Sequence, residues 1–345
     1  MKYLNARIIA ALVAITVVLC GCVGGHAASE AAGEVPPSEQ KRLPVPYTDT
    51  WAAAPQAAPL PGASGSSTVS TLLASAGRNP DKAQPEKNFV VQAPQMVAVG
   101  RPFLVRVGYK GLRGARVEWH GRILDLKPNA SGVCEALLAE PLKKEADHRT
   151  LTITLIGPQK TETMRADLTV VEPDYPVQSL KVNPKYVNPP KSELARIKRN
   201  QQAVRNAVSK VSTQKYWTLP LHRPVPGHVT SLYGLRRVFN GEDKGRHRGV
   251  DYNGKTGSPI GAVETGIVVL AESQYYGGKT VIIDHGLGVF SMYLHLSAIK
   301  VKEGRKVKRG DTIGLIGATG RVTGPHLHLS LYVAGDSVDA APLLE

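Results

Sequence analysis

Apolar and polar positions alternate with a period of two over most of the C-terminal three-quarters of the chain. Between residues 88 and 175 the runs are Phe89-Val90-Val91, Phe103-Leu104-Val105-Arg106-Val107, Leu151-Thr152-Ile153-Thr154-Leu155-Ile156 and Leu168-Thr169-Val170-Val171, punctuated by Gly, Pro and Asn. Alternation between turn residues predicts strands with one buried face, and a short series of them predicts a small immunoglobulin-like β-sandwich. From 217 to 345 the strand signals return in Ile267-Val268-Val269-Leu270, Thr280-Val281-Ile282-Ile283, Val289-Phe290-Ser291-Met292-Tyr293-Leu294 and Leu327-His328-Leu329-Ser330-Leu331-Tyr332. Turns such as Gly277-Gly278 and Gly286-Leu287-Gly288 separate them, so an antiparallel β domain is expected. Between the two, residues 176–216 form a linker whose period changes. Leu194, Ile197, Val204, Val208 and Val211 recur at helical spacing, with Lys198, Arg199, Arg205 and Lys210 elsewhere. This predicts a basic amphipathic helix from Ser192 to about Ser212, started by Pro189-Pro190 and capped by Ser192. The expected fold class is therefore mainly β, with two β domains joined by a helix.

Two N-terminal stretches follow neither period. Residues 1–21 open with the basic Met1-Lys2-Tyr3-Leu4-Asn5-Ala6-Arg7 and continue as the apolar run Ile8 to Leu19, too short to span a bilayer comfortably. That is the form of an export signal. It ends in Leu19-Cys20-Gly21-Cys22, which resembles a bacterial lipobox with Cys22 as the lipidated residue. The resemblance implies a chain anchored to a membrane through lipid on Cys22. The neutral Val23 that follows suggests the outer membrane, facing the periplasm. Residues 22–87 are rich in Ala, Pro, Ser and Gly, as in Pro61-Gly62-Ala63-Ser64-Gly65-Ser66-Ser67, and read as a flexible tether.

Composition narrows the partner. Hydrophobic residues are 42% and aromatics 6% of 345, which suits modest globular cores and not a multi-span membrane protein. Charged residues of both signs reach 21%, which argues against wholesale disorder. The formal charge of +15 calls for an anionic partner. An exported chain does not meet genomic DNA, so an anionic envelope polymer is favoured over nucleic acid. Of the three cysteines, Cys20 would leave with the expected signal and Cys22 would carry lipid. Cys134 is left alone, without a disulfide partner, and is expected to be a buried small apolar residue.

Seven of the ten histidines lie beyond residue 217. His247-Arg248-Gly249-Val250-Asp251 sets an imidazole and a carboxylate four residues apart. In Pro325-His326-Leu327-His328 two imidazoles stand two apart in a strand-like run, hence on one side of it. His295 sits in Tyr293-Leu294-His295-Leu296-Ser297. Imidazole and carboxylate suit zinc, and a catalytic zinc keeps three protein ligands and one open position. Four imidazoles and one carboxylate exceed that shell by two groups, the surplus a hydrolase uses to move protons.

These residues carry a family resemblance. Gly245-Arg246-His247-Arg248-Gly249-Val250-Asp251-Tyr252, Tyr293-Leu294-His295-Leu296-Ser297 and Gly320-Arg321-Val322-Thr323-Gly324-Pro325-His326-Leu327-His328 resemble the three motifs of the lysostaphin/LytM-type peptidoglycan zinc endopeptidases. Thr230-Ser231-Leu232-Tyr233-Gly234-Leu235-Arg236-Arg237 is similar to that family's first strand, and the segment from Val301-Lys302-Glu303-Gly304 to Lys308-Arg309-Gly310-Asp311 to its Gly-punctuated hairpin. The resemblance implies one Zn2+ held by His247, Asp251 and His328, with His295 and His326 as the catalytic pair; either of the two could be the base. The chain has no His-Glu-x-x-His helix, so a thermolysin-like glutamate base is excluded. The implied substrate is the peptide cross-link of peptidoglycan, anionic through its stem-peptide carboxylates. The alternative function is a non-catalytic LytM-like regulator of other peptidoglycan hydrolases. His285 is expected in a structural turn, and His222 and His228 in surface loops. Val338-Asp339-Ala340-Ala341 departs from the Asp-Pro common in relatives, with only local turn geometry at stake.

Overall fold

In the computed structural model, which describes residues 90–345, the alternating runs form strands and the fold is mainly β. The expected export signal, Cys22 and the tether lie outside the described residues. The first domain is a pair of facing sheets. Pro102–Gly108 pairs with Val90–Gln92 and Val133–Ala139 in one. The other runs in the order Met96–Ala98, Thr161–Val171, His148–Ile156, Gly114–Trp119 and Arg122–Leu126. Alternation decides what lies between them. Val105 and Val107 of the first sheet meet Val117, Leu151, Ile153 and Leu155 of the second in one core. Phe103 packs edge-on against Trp119 at 5.0 Å, and the Trp119 Nε1–H donates to Ala139 O at 2.8 Å. Cys134 is buried in the same core, and burial pushes its thiol up to about 11. The thiol is therefore inert at neutral pH.

The C-terminal domain is built on a large antiparallel sheet. Its order is Val229–Ser231, Val250–Asn253, His326–Val333, Val289–Leu296, Gly278–Gly286, Gly266–Gln274 and Lys306–Val307, with Asp336–Val338 added beside His326–Val333. In His326–Val333 the residues Leu327, Leu329, Leu331 and Val333 enter the core. His326, His328 and Ser330 are thereby turned to the opposite face. Register places Leu294 beside His328, Met292 beside Ser330 and Phe290 beside Tyr332, so these share that face.

The helix covers the far end of it. Ala207 and Val208 pack on Leu270, Ile282, Phe290 and Met292. The helix spans Lys191–Ser209, one residue earlier than expected at its start and about three shorter at its end. Ser192 is not its cap. Pro190 holds the extended N-cap position with no side-chain hydrogen bond, and Ser192 falls within the first turn. Ile197 and Val208 are buried and Val204 half-buried, whereas Leu194 and Val211 are exposed. Only the C-terminal half of the helix docks among the apolar sheet residues, and Val211 lies beyond its end.

The two domains share more than the linker. Leu137 and Ala139 of the sandwich join the C-terminal core. The strand Val177–Leu180 pairs parallel with Arg236–Phe239. Arg101 forms an ion pair with buried Asp339, whose N–H donates to Gly100 O at 2.9 Å. The 338–341 segment is thus an interdomain tie, where only a local turn had been expected.

His285 is buried near the end of the strand Gly278–Gly286, just ahead of the turn at Leu287-Gly288. Its Nδ1–H donates to Thr265 O at 2.9 Å, and its Nε2 lies 2.7 Å from Ser291 Oγ, which reaches Tyr293 OH at 2.9 Å. Burial pushes its pKa down from 6.5 to about 4. An unfolded chain takes this proton as pH falls below about 6.5, and the folded chain refuses it until about pH 4. Stability is therefore lost as pH falls through that window, by up to about 1.4 kcal/mol per unit from this residue. Urea unfolding followed by circular dichroism from pH 7 to 4.5 should show a flatter stability slope in His285→Gln than in the unaltered chain. Identical slopes would remove His285 as a source of acid sensitivity.

Candidate active site

Two neighbouring strands carry most of the site. Val250–Asn253 runs antiparallel to His326–Val333, with Asp251 opposite His328 and Asn253 opposite His326. His247 follows the strand Glu242–Arg246 and is pinned by its own backbone. Its N–H donates to Leu235 O and its carbonyl accepts from Gly234 N, each at 2.8 Å. The three side chains converge. His247 Nε2 is 3.1 Å from Asp251 Oδ1 and 3.1 Å from His328 Nδ1, and the last two atoms are 2.8 Å apart. Ligand atoms around a tetrahedral zinc, each about 2.0–2.1 Å from the metal, stand about 3.3 Å from one another. The spacing here is close to that, and the group is able to hold a metal ion.

Outer partners aim these atoms. His247 Nδ1–H donates to Leu232 O at 2.6 Å, which leaves the Nε2 lone pair facing Asp251. His328 Nε2 is bound to Ser330 Oγ at 2.9 Å, so its Nδ1 faces inward. Arg237, nearly buried, donates from one Nη2 to Asp251 Oδ2 at 3.0 Å and to Ser231 Oγ at 2.9 Å. Such outer contacts fix ring orientation and ligand basicity in metal sites. Burial, the largest influence, pushes the His328 pKa down to about 4. Burial alone would raise Asp251, but hydrogen bonds and charge from His247 and His328 hold it well below the usual carboxylate range. At neutral pH the site thus offers a neutral imidazole at 328 beside an ionised carboxylate.

His326 and His295 stand next to this group, and among the described residues neither Nε2 atom has a hydrogen-bond partner. His326 Nδ1–H donates to Gly324 O and His295 Nδ1–H to Thr319 O, both at 2.9 Å. A carbonyl can only accept, so in each neutral ring the Nε2 keeps its lone pair. The two ring centroids are 4.9 Å apart, and His326 Nε2 is 3.8 Å from Asp251 Oδ1. His295 reaches this face through a break in alternation. Tyr293 and Leu296 both enter the core, and the register with Gly278–Gly286 shifts between them. His295 takes φ 67°, and its N–H donates to Gly277 O at 2.8 Å. Burial, then the neighbouring His328 and His326, push its pKa down to about 3.

The structure therefore brings His247, Asp251, His328, His326 and His295 together. His285 lies apart in the core. His222 bonds Glu345 at 2.8 Å and His228 is exposed in a loop. Four contributors carried no assigned role in the sequence: Arg237, Ser330, Thr319 and Gly249. Ser330 was accessible by alternation, two residues beyond His328. Gly249 follows from packing alone, because a Cβ there would stand 2.4 Å from His328 Nε2.

Residues 245–340 match the model of peptidase family M23, so the C-terminal part of the chain is an M23 domain. Over 94 residues, 27% of this chain, it is 49% identical to the peptidoglycan DD-endopeptidase ShyA of Vibrio cholerae, and the aligned part is 22% of that protein. Over 93 residues, again 27% of the chain, it is 40% identical to the DD-carboxypeptidase/endopeptidase Mpg of Neisseria meningitidis, covering 21% of it. The chain thus spans about a fifth of the length of these relatives. A crystal structure assigned to peptidase M23 from Pseudomonas aeruginosa superposes with a TM-score of 0.55 at 26% identity, covering 71% of this chain and 93% of that one.

Gly249→Ala should displace the His328 ring and cost the protein its bound metal, though no ligand is changed. Metal analysis of the purified variant checks this. Full metal content with unaltered affinity would show that the ring has room to move.

Proposed function

We propose that this chain is a zinc-dependent endopeptidase of the cell envelope that cuts peptide cross-links of peptidoglycan. The observation that carries the reading is the pair of free Nε2 atoms, on His295 and His326, beside three converging ligand atoms. Two imidazoles and one carboxylate suit Zn2+ and leave a fourth position open. When bound there, the ion would polarise the scissile carbonyl and lower the pKa of a water molecule. His295 Nε2 or His326 Nε2 accepts the proton of that water and passes it to the leaving amine. Thr319 and Gly324 hold the two rings in the tautomer this requires. A regulator without chemistry would need neither free Nε2 atom. The names of ShyA and Mpg, peptidoglycan DD-endopeptidase and DD-carboxypeptidase/endopeptidase, support the reading.

The same proposal includes the N-terminal signals. An export signal over 1–21, lipid on Cys22 and a tether over 22–87 would hold the enzyme at the outer membrane, facing the periplasm. Exposed Lys300, Lys302, Arg305, Lys306 and Lys308 along one hairpin support attraction to an anionic polymer. Cys22→Ser should abolish lipid labelling and leave the precursor unprocessed; unchanged labelling would sink the anchor.

The roles divide under single replacement by Ala. His328→Ala and Asp251→Ala should lose zinc along with activity. His295→Ala should keep about one equivalent of zinc and lose about a hundredfold to ten-thousandfold in turnover of purified sacculi. Zinc content and hydrolysis, read on the same samples, check the division. Loss of zinc from His295→Ala with retention in His328→Ala would reverse the assignment.

A further inference from the structure

The helix Lys191–Ser209 docks on the same sheet face as His326 and His328. Its first turns and the short turn Pro184–Tyr186 consequently lie beside the loops that hold His295. Between them is a cleft of about 320 Å³. Lys185, Tyr186 and Arg196 line one side, and Gln274, Tyr275 and Thr319 the other. Thr319 is also the residue whose carbonyl accepts from His295, so the cleft adjoins the catalytic ring. Its linker side lies outside the segment that matches peptidase family M23. The volume is at the lower end for small-molecule sites, which run about 300–1,000 Å³.

The walls are held in place. Tyr275 N–H donates to Asn200 Oδ1 at 3.0 Å, and Tyr275 OH donates to Lys185 O at 2.8 Å. Tyr186 and Tyr275 meet edge to face with centroids 5.5 Å apart. Cations already stand over these rings, Lys185 Nζ at 5.0 Å from Tyr186 and the Arg196 guanidinium at 5.9 Å from Tyr275. The charge is unbalanced. Arg196 faces Glu193 at 3.6 Å, but among the described residues no carboxylate lies within ion-pair distance of Lys185. Glu193 also lines the cleft and offsets Arg196, so Lys185 carries the surplus positive charge, and an ammonium beside a guanidinium around one small space matches a carboxylate.

We propose that this cleft is a subsite for a free peptide carboxylate, engaged by Lys185 and Arg196, and that it holds one arm of the branched stem peptide next to the catalytic histidines. The inference rests on the endopeptidase reading for its substrate, while its test does not require hydrolysis. The probe is an uncross-linked stem peptide, with its carboxylates either free or amidated, titrated by calorimetry into the full-length zinc-loaded chain. The free form should bind about tenfold more tightly than the amidated form. Lys185→Glu should erase that preference, and Arg196→Gln should weaken it, with zinc content unchanged in both. Lys185 is exposed, so its replacement should not disturb folding. Equal affinity for the two forms, binding of neither, or a preference that survives Lys185→Glu would each overturn the subsite. A preference erased by Lys185→Glu in a chain that cuts no sacculi would keep the subsite and sink the endopeptidase reading. Cutting with equal affinities would do the reverse.

Discussion

The pairing of Asp251 with His328 across two antiparallel strands is the constraint on which the candidate site depends. It forces a carboxylate oxygen and an imidazole nitrogen to 2.8 Å, and the His247 loop brings a second nitrogen to the same point. Lone pairs facing one another in a dry site repel unless protons or a cation lie between them. The strand ladders and the partners behind each ring supply the force that holds them there. A cation binding there would take the place of the protons shared by these atoms, so metal affinity, pH and fold stability are linked.

Much of this was legible in the sequence, for reasons that differ by residue. His326 and His328 could be placed together because strand alternation is a strict geometric rule. His247 and Asp251 could be paired by spacing and by the motif they resemble. Position 295 was legible only through its motif. Alternation from Tyr293 would have sent it into the core on Tyr293's side, whereas Tyr293 and Leu296 both enter the core around a shift of register. Arg237 and Gly249 act through contacts made between distant segments, which no local pattern encodes. The helix was found by its period, but its cap and the burial of Leu194 and Val211 were misread. Periodicity reports a face and cannot say how far along that face the partner extends.

The segments ahead of the catalytic sheet are built into it. The strand Val177–Leu180 adds to the Arg236–Phe239 hairpin, and Gln178 Oε1 accepts from Ser231 Oγ at 3.1 Å. Ser231 in turn accepts from Arg237, which holds Asp251. A continuous chain of polar contacts therefore runs from the linker to a carboxylate at the heart of the site. On the other flank, Arg101 and Asp339 fasten the sandwich to the end of the catalytic sheet. Burial favours the neutral form of Asp339, and the Arg101 charge opposes it. The linker is thus a structural member of the C-terminal domain as well as a connection.

The left-handed backbone at His295 sets fold and chemistry against each other at one position. A side chain with a Cβ at φ 67° costs about 1–2 kcal/mol relative to a conformation open to it, a cost glycine escapes. Judged by folding alone, residue 295 is a place for Gly or Asn, and under the proposed function the imidazole's proton transfer is what offsets the strain. Under the proposed function, screens of variants for heat resistance would drift toward inactive proteins at this position. The same strain holds the ring on the working face: regular strand geometry would relieve it and would also carry the imidazole away from its partners.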